Sequence, residues 1–443
     1  MSDVDPTRRA LILAGAMGVG LVPLFAVDDG PDDPDVSYDS GALRRVVGLG
    51  TPTVPRRFPV EIGADHVAAH RDRAQSLLSS APQSPDIPNE AVAREYADRY
   101  EQAAEALERA GEARTPYERL DALQSARWFA ADVSAVYAAF ADDLTREEVL
   151  ARRESIRERL ARLRDRWRYV GDDLAVAVDV HGTVESRVDY AEGTLERAAE
   201  RRGSDESRVL GVGSAAGTVE LARTAAENAA YYYDRFVDSL ADPRPLGDAF
   251  DRAARVLVAD VTARCPDPPT DEWESRFDRD LAYTVAHDLL RDAVSDATWR
   301  CRTANEARDS EGVASAVLTA AGADRDLRAL DRVRAAVDRG EYGVPRSAEA
   351  ARREKLAALE AVEAAQRATP TVLASGWTRG ALGNLDRGDR TLSRALERDG
   401  VEVSEVARAV AAYAWGRTRA AATPGALSRL TGVLDAAATP STR

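Results

Sequence analysis

Lysine is almost missing from this chain: Lys355 is the only one among 60 basic residues, and the rest are arginine. Aromatic residues make up 6% of the 443 positions, cysteine occurs twice and histidine four times. Strict apolar–polar alternation never lasts beyond four or five residues, which argues against a sheet protein. With few aromatics among 44% apolar residues, the interior must be built from Ala, Leu and Val. Such small side chains suit close helix–helix contact better than a β-sandwich core. The motifs of common chemistries are missing too. There is no His-Glu-x-x-His, no Glu-x-x-His of the di-iron bundles and no Gly-x-Ser-x-Gly elbow.

What is abundant is acid. Asp and Glu total 75, giving a formal net charge of −15. An acid-rich, lysine-poor, alanine-rich composition resembles that of proteins from organisms that hold molar salt inside or around the cell. At such ionic strength the Debye length is roughly 3 Å, so acidic self-repulsion is screened. A GC-rich genome would also write Arg for Lys, but would not explain the acid excess. No basic footprint for phosphate stands out, so nucleic acid is excluded as a partner.

The N-terminus carries a second signal. Residues Ala10 to Val27 hold no charge, and 18 residues of helix span about 27 Å, enough for a thin hydrocarbon core. Arg8 and Arg9 precede the run and Asp28, Asp29, Asp32, Asp33 and Asp35 follow it. The positive-inside rule then keeps residues 1–9 cytoplasmic and places the bulk of the chain outside, on a single-pass membrane anchor. The string Thr7-Arg8-Arg9-Ala10-Leu11-Ile12 resembles a twin-arginine export signal. Cleavage after Ala26 or Gly30 would set Leu24 or Asp28 where a small residue is wanted, so 10–27 reads as an uncleaved signal anchor.

Residues 28–60 are rich in Asp, Gly and Pro, show no helical period and read as a stalk. Helical patterning starts at about Ala64. One bundle is expected over 61–242 and a second helical region over 243–443. The first helix stops at Pro82, Pro85 and Pro88; Asn89 caps the next, and Thr115-Pro116-Tyr117-Glu118 and Thr145-Arg146-Glu147-Glu148 are capping boxes. Val149, Ile156, Leu160, Leu163, Trp167 and Val170 alternate at a and d positions, predicting a coiled-coil-like helix over 145–170. Later helices are expected at about 172–181, 183–202, 206–241, 246–265, 270–308, 311–321, 324–339, 347–369, 371–398, 402–422 and 424–437. The fold class is all-α, in antiparallel bundles with long helices.

Five local features were weighed for chemistry. His66 and His70 sit at i and i+4, a spacing that can hold zinc, but no further ligand cluster accompanies them. They read as solvated histidines. Gly211-Val212-Gly213-Ser214-Ala215-Ala216-Gly217-Thr218 looks like a phosphate loop, yet lacks the Walker lysine and a preceding strand; close backbone packing explains it better. In Tyr231-Tyr232-Tyr233 the side chains point about 100° apart, so at least one must be exposed or meet a second neighbour. Asp288, Asp292 and Asp296, with Asp271, Glu272, Glu274, Asp278 and Asp280 before them, read as a solvated acidic face. Ala374 to Gly380 around Trp377 suggests a kink or loop. The two cysteines sit at the end of one helix and within the next. A helix from Thr270 would carry Cys301 roughly 45 Å from its start, out of reach of a disulfide unless that helix breaks.

The sequence singles out no catalytic residue, and no metal site or cofactor is expected. The membrane is one expected partner, and a protein partner or self-association another. The expected role is a non-enzymatic scaffold or interaction ectodomain of a salt-adapted organism. The alternative is an exported enzyme or ligand-binding domain whose site is assembled from residues distant in sequence.

Overall fold

The computed structural model describes residues 25–26, 36–200, 207–266, 281–309, 312–398 and 400–439. In chain order the elements are β1 (Phe25–Ala26), α1 (Ser40–Val47), α2 (Ala64–Ser79), α3 (Glu90–Glu112), α4 (Pro116–Ala141), α5 (Arg146–Ala151) and α6 (Arg153–Arg166). Then come β2 (Val170–Gly171), α7 (Leu174–Glu200), α8 (Arg208–Ser239), β3 (Arg244–Pro245), α9 (Gly247–Arg264) and α10 (Val285–Asp309). The last are α11 (Val313–Asp338), β4 (Val344–Pro345), α12 (Ala348–Gln366), α13 (Thr371–Ala395) and α14 (Val403–Ala438). The protein is all-α. Its strands are two-residue antiparallel pairs, β1 with β4 and β2 with β3.

Two compact units are present. Of the described residues, the first takes those within 1–54, 255–309 and 319–433; the second takes those within 55–254, 310–318 and 434–443.

In the second unit α4 packs against α2, α3 and α8, and α7 packs against α8. Small residues let α4 and α8 approach closely. A Cβ on Gly213 would lie 2.8 Å from the Asp132 carbonyl oxygen, and one on Gly217 would lie 3.0 Å from that of Trp128. The glycine-rich stretch is thus an interior part of α8 pressed against α4. As its partner number rises from 128 to 132 the α8 number falls from 217 to 213, so the two helices run antiparallel. Glu185 of α7 reaches the start of α11, where Ala314 N donates to it at 3.2 Å and Ser315 N at 2.5 Å. It serves as a side-chain cap supplied by another helix.

In the first unit the lone lysine is completely buried. Its Nζ donates to the carbonyls of Val46 (2.9 Å) and Val47 (3.3 Å) at the end of α1 and to Asp389 Oδ1 (2.7 Å). Tyr413 Oη donates to the same carboxylate at 2.7 Å. A compact ammonium can serve two carbonyls and a carboxylate at once, which the planar guanidinium fork cannot do in the same space.

Several expectations need correction. Residues 40–47, read as stalk, form a helix capped by Asp39, with Leu43 and Val46 buried. The expected helix 145–170 ends at Arg166 and is interrupted at Arg152, while Val170 pairs in a strand. Its apolar stripe does hold at Val149, Ile156, Leu160 and Leu163, all buried; two short helices packed on α8 replace the coiled coil. Breaks expected near 182, 322 and 423 are absent, because α7, α11 and α14 run through Gly182, Gly322 and Pro424. At Gly182 packing overrides the local preference: a Cβ there would meet Leu318 Cδ1 at 2.6 Å. The Trp377 region is likewise continuous α13.

Among the described residues no helix is long and apolar enough to cross a membrane. The expected span Ala10–Val27 lies outside them except for Phe25 and Ala26. Those two are extended, and pairing with Pro345 and Val344 satisfies their backbone there instead of a last helical turn.

The α8 glycines give a signed expectation. Gly213→Ala or Gly217→Ala should destabilise the chain by about 1–3 kcal/mol through overpacking, although alanine is the better helix former. Gly211→Ala, where nothing stands within 4 Å, should instead stabilise by about 0.5–1 kcal/mol. Denaturant unfolding in molar KCl reads both signs.

Candidate functional site

Two groups of polar residues in the second unit come from positions far apart in sequence. One is buried. Arg127, in the middle of α4 and 2% exposed, donates to Glu220 through Nε (2.9 Å) and Nη2 (2.6 Å). Its Nη1 donates to Glu227 (2.7 Å) and to His70 Nδ1 (3.1 Å). Arg73 adds two bonds of 3.2 Å to Glu220. Burial by itself would raise the Glu220 carboxyl, but Arg73 and Arg127 more than offset it and hold it below the usual carboxylate range. Burial and the Arg127 charge push His70 down to about 2. His70 is therefore a neutral acceptor.

His66 stacks on Tyr231, with ring centroids 3.7 Å apart, and its Nε2–H donates to Asn228 Oδ1 at 3.0 Å. Both histidines are thus bonded into helix contacts rather than solvated. Their i,i+4 spacing turns both rings toward partners on α4 and α8; among the described residues there is no group of three or more His, Cys, Asp or Glu that could hold a metal. His181, fully buried, accepts from Trp167 Nε1 at 3.2 Å, which leaves its Nε2–H to donate to the Val170 carbonyl at 3.0 Å. Burial lowers it to about 4. The three successive tyrosines face three neighbours. Tyr231 meets His66, Tyr232 packs on Phe58 and Tyr117, and Tyr233 accepts from Arg168 N at 2.8 Å.

The second group lines an open cavity of ≈ 390 Å³. Arg56 comes from the extended segment before α2, Tyr117 and Gln124 from α4, and Gly182, Ser186, Arg187 and Tyr190 from α7. Arg187 donates to Gln124 Oε1 at 2.6 Å and to Asp121 Oδ1 at 2.5 Å. Arg56 Nη1 donates to the other oxygen of Asp121. Two guanidiniums thus share one carboxylate, and both lie over the Tyr117 ring, at 5.0 and 6.0 Å from its centroid. In this cluster the buried Arg56 Nε is without a hydrogen-bond partner, as is the hydroxyl of the fully buried Tyr232 that packs on Tyr117. Glu118, expected to close a capping box on Thr115, instead accepts from Arg56 N at 2.7 Å and Arg114 N at 3.3 Å. It fixes the segment that carries Arg56.

None of the arginines in these groups was singled out in the sequence. Arg127 carried a signal all the same, as the only basic residue between Arg119 and Arg146 in an Ala-rich apolar run. Arg56 and Arg187 carried none, since arginine is common throughout. In the first unit Asp288, Asp292 and Asp296 are engaged rather than a free acidic face. They meet Arg291 (2.8 Å), Arg387 (3.2 Å) and the Trp415 indole N–H (2.7 Å). Asp271, Glu272, Glu274, Asp278 and Asp280 lie outside the described residues.

Two family models match this chain. Each describes a domain of unknown function: DUF8262 over residues 65–242 and DUF8264 over residues 247–432. Among curated proteins and among solved structures, nothing matches. Both groups above fall mainly in the stretch similar to DUF8262, with Arg56 just before it. The junction between the two matches falls at β3, where the Pro243 and Pro245 cluster breaks the helical pattern.

The buried histidines give a signed pH dependence. Unfolded, each binds a proton near pH 6.5; folded, His181 does so only near 4 and His70 near 2. Between those values the unfolded state holds more protons, so stability is complete above pH 6.5 and falls as the pH falls. The expected loss is up to about 1.4 kcal/mol per pH unit for each histidine. Denaturant unfolding from pH 7 to 5 measures it, and His70→Gln should flatten the slope. An unchanged slope in that variant would mean that His70 is not held neutral.

Proposed function

We propose that this is a non-enzymatic helical protein, tethered outside a membrane in a salt-rich setting, that binds a small organic anion in the cavity of its second unit. The observation that carries the binding reading is the Arg56–Asp121–Arg187 cluster: two cations to one anion, with a buried Arg56 N–H left unpartnered. In a chain of net charge −15 this is a local inversion of sign. A carboxylate is the fitting ligand class, because guanidinium recognises it through charge-assisted hydrogen bonds. Tyr117 and Tyr190 offer ring surface to an apolar tail. Binding is favoured over catalysis because the Asp121 carboxylate is already engaged on both oxygens by the two guanidiniums.

Titration calorimetry in molar KCl with a panel of small mono- and dicarboxylates tests the reading. One saturable site is expected, weakened at least tenfold in Arg56→Gln with helicity unchanged. A folded chain that binds none of the panel, or a variant that binds as well as the parent, would sink it.

The tether rests on the uncharged run from Ala10 to Val27 and the charges that flank it. Protease added to intact cells should remove the body while leaving cytoplasmic proteins whole. A body that resists until lysis rules this topology out.

A further inference from the structure

The helix expected from Thr270 does not run unbroken to Cys301. Leu281 to Thr284 are not helical, Tyr283 adopts φ 58°, and α10 begins only at Val285. The chain therefore turns back, and Thr262 Oγ1 donates to Asn305 Oδ1 at 2.7 Å. That bond sets the end of α9 beside α10. Cys265 follows three residues after Thr262, and Cys301 precedes Asn305 by one helical turn, so the antiparallel register brings the two thiols together. Cys265 is near enough to act on the Cys301 thiol. Next to Cys265, Arg264 is anchored by Asp324 at 2.5 Å. Both thiols are free, with Cys301 fully buried and Cys265 half-buried.

We propose that Cys265 and Cys301 are a disulfide site, closed by exchange with a small-molecule disulfide. The half-buried Cys265 is the accessible first nucleophile. Its thiolate attacks one sulfur of the oxidant, whose S–S bond breaks and releases one thiolate with the electron pair. The Cys301 sulfur, after losing its proton, then attacks Cys265 in the mixed disulfide and expels the second thiolate. Two protein thiols are oxidised, two protons leave, and one oxidant disulfide is reduced to two thiols. With the end of α9 already bonded beside α10, closing the S–S bond of about 2 Å calls for side-chain rotation. Burial and the adjacent Cys265 push the Cys301 thiol up to about 12. It is therefore a poor target for oxidant by itself and depends on Cys265 as its partner. A chain exported to an oxidising compartment would hold the bridge closed. The inference is independent of the anion-binding reading.

Full-length protein in molar KCl, incubated with oxidised glutathione, provides the test. The expected product is a monomer about 2 Da lighter than the reduced chain, with both thiols lost to titration under denaturing conditions. A digest should yield one peptide pair linking Cys265 to Cys301, and dithiothreitol should restore both thiols. In Cys265→Ser the mass should not fall, and buried Cys301 should stay unmodified. A parent chain that keeps both thiols, ends as a glutathione adduct or crosslinks only between molecules would overturn the proposal.

Discussion

The closeness of α4 and α8 is the constraint on which the second unit depends. Gly213 and Gly217 leave no room for side chains against Asp132 and Trp128. At that separation only small residues fit the seam, which accounts for an interior so rich in alanine. A helix interface made of Ala and Gly gains less from burial per residue than one of Leu and Phe. Fixing its register therefore falls largely to polar pairs.

Those pairs are deeply placed. Arg127 with Glu220 in the second unit and Asp326 with Arg325 and Arg419 in the first are all at most 6% exposed. Each carboxylate has more than one guanidinium, so the desolvation cost is offset by several charge-assisted bonds. Such pairs also tolerate salt. Molar ions screen exposed charges over a few ångströms but reach buried ones far less. Lys355 belongs to the same scheme, as the one place where a point-like donor is needed between two carbonyls and Asp389.

Much of the helical layout was legible because caps and apolar periods are local. Asn89, Thr115 and Thr145 open helices as their side chains suggest. The stripe from Val149 to Leu163 is buried as its spacing implies. Continuity was less legible. Gly182, Gly322 and Pro424 are helix breakers by propensity, yet the helices run through each of them, with a packed neighbour pressed against Gly182. The break at Leu281–Thr284 was illegible in the opposite sense, since no Gly or Pro between Thr270 and Cys301 signals it. The cavity was illegible for a different reason. Arg56, Tyr117 and Arg187 stand far apart in the chain, and none is unusual in its own neighbourhood.

By itself, the sequence determined the all-α class, most helix starts, the acidic solvent-facing character and the small-residue seam. These follow from composition and from interactions within a few residues. Tertiary structure alone decided which charges are buried and which glycines are seams rather than breaks. It also decided that Arg56 and Arg187 share Asp121, and that Cys265 meets Cys301. Those outcomes depend on how separate helices pack, and that pairing is set by long-range burial and geometry that no local pattern encodes.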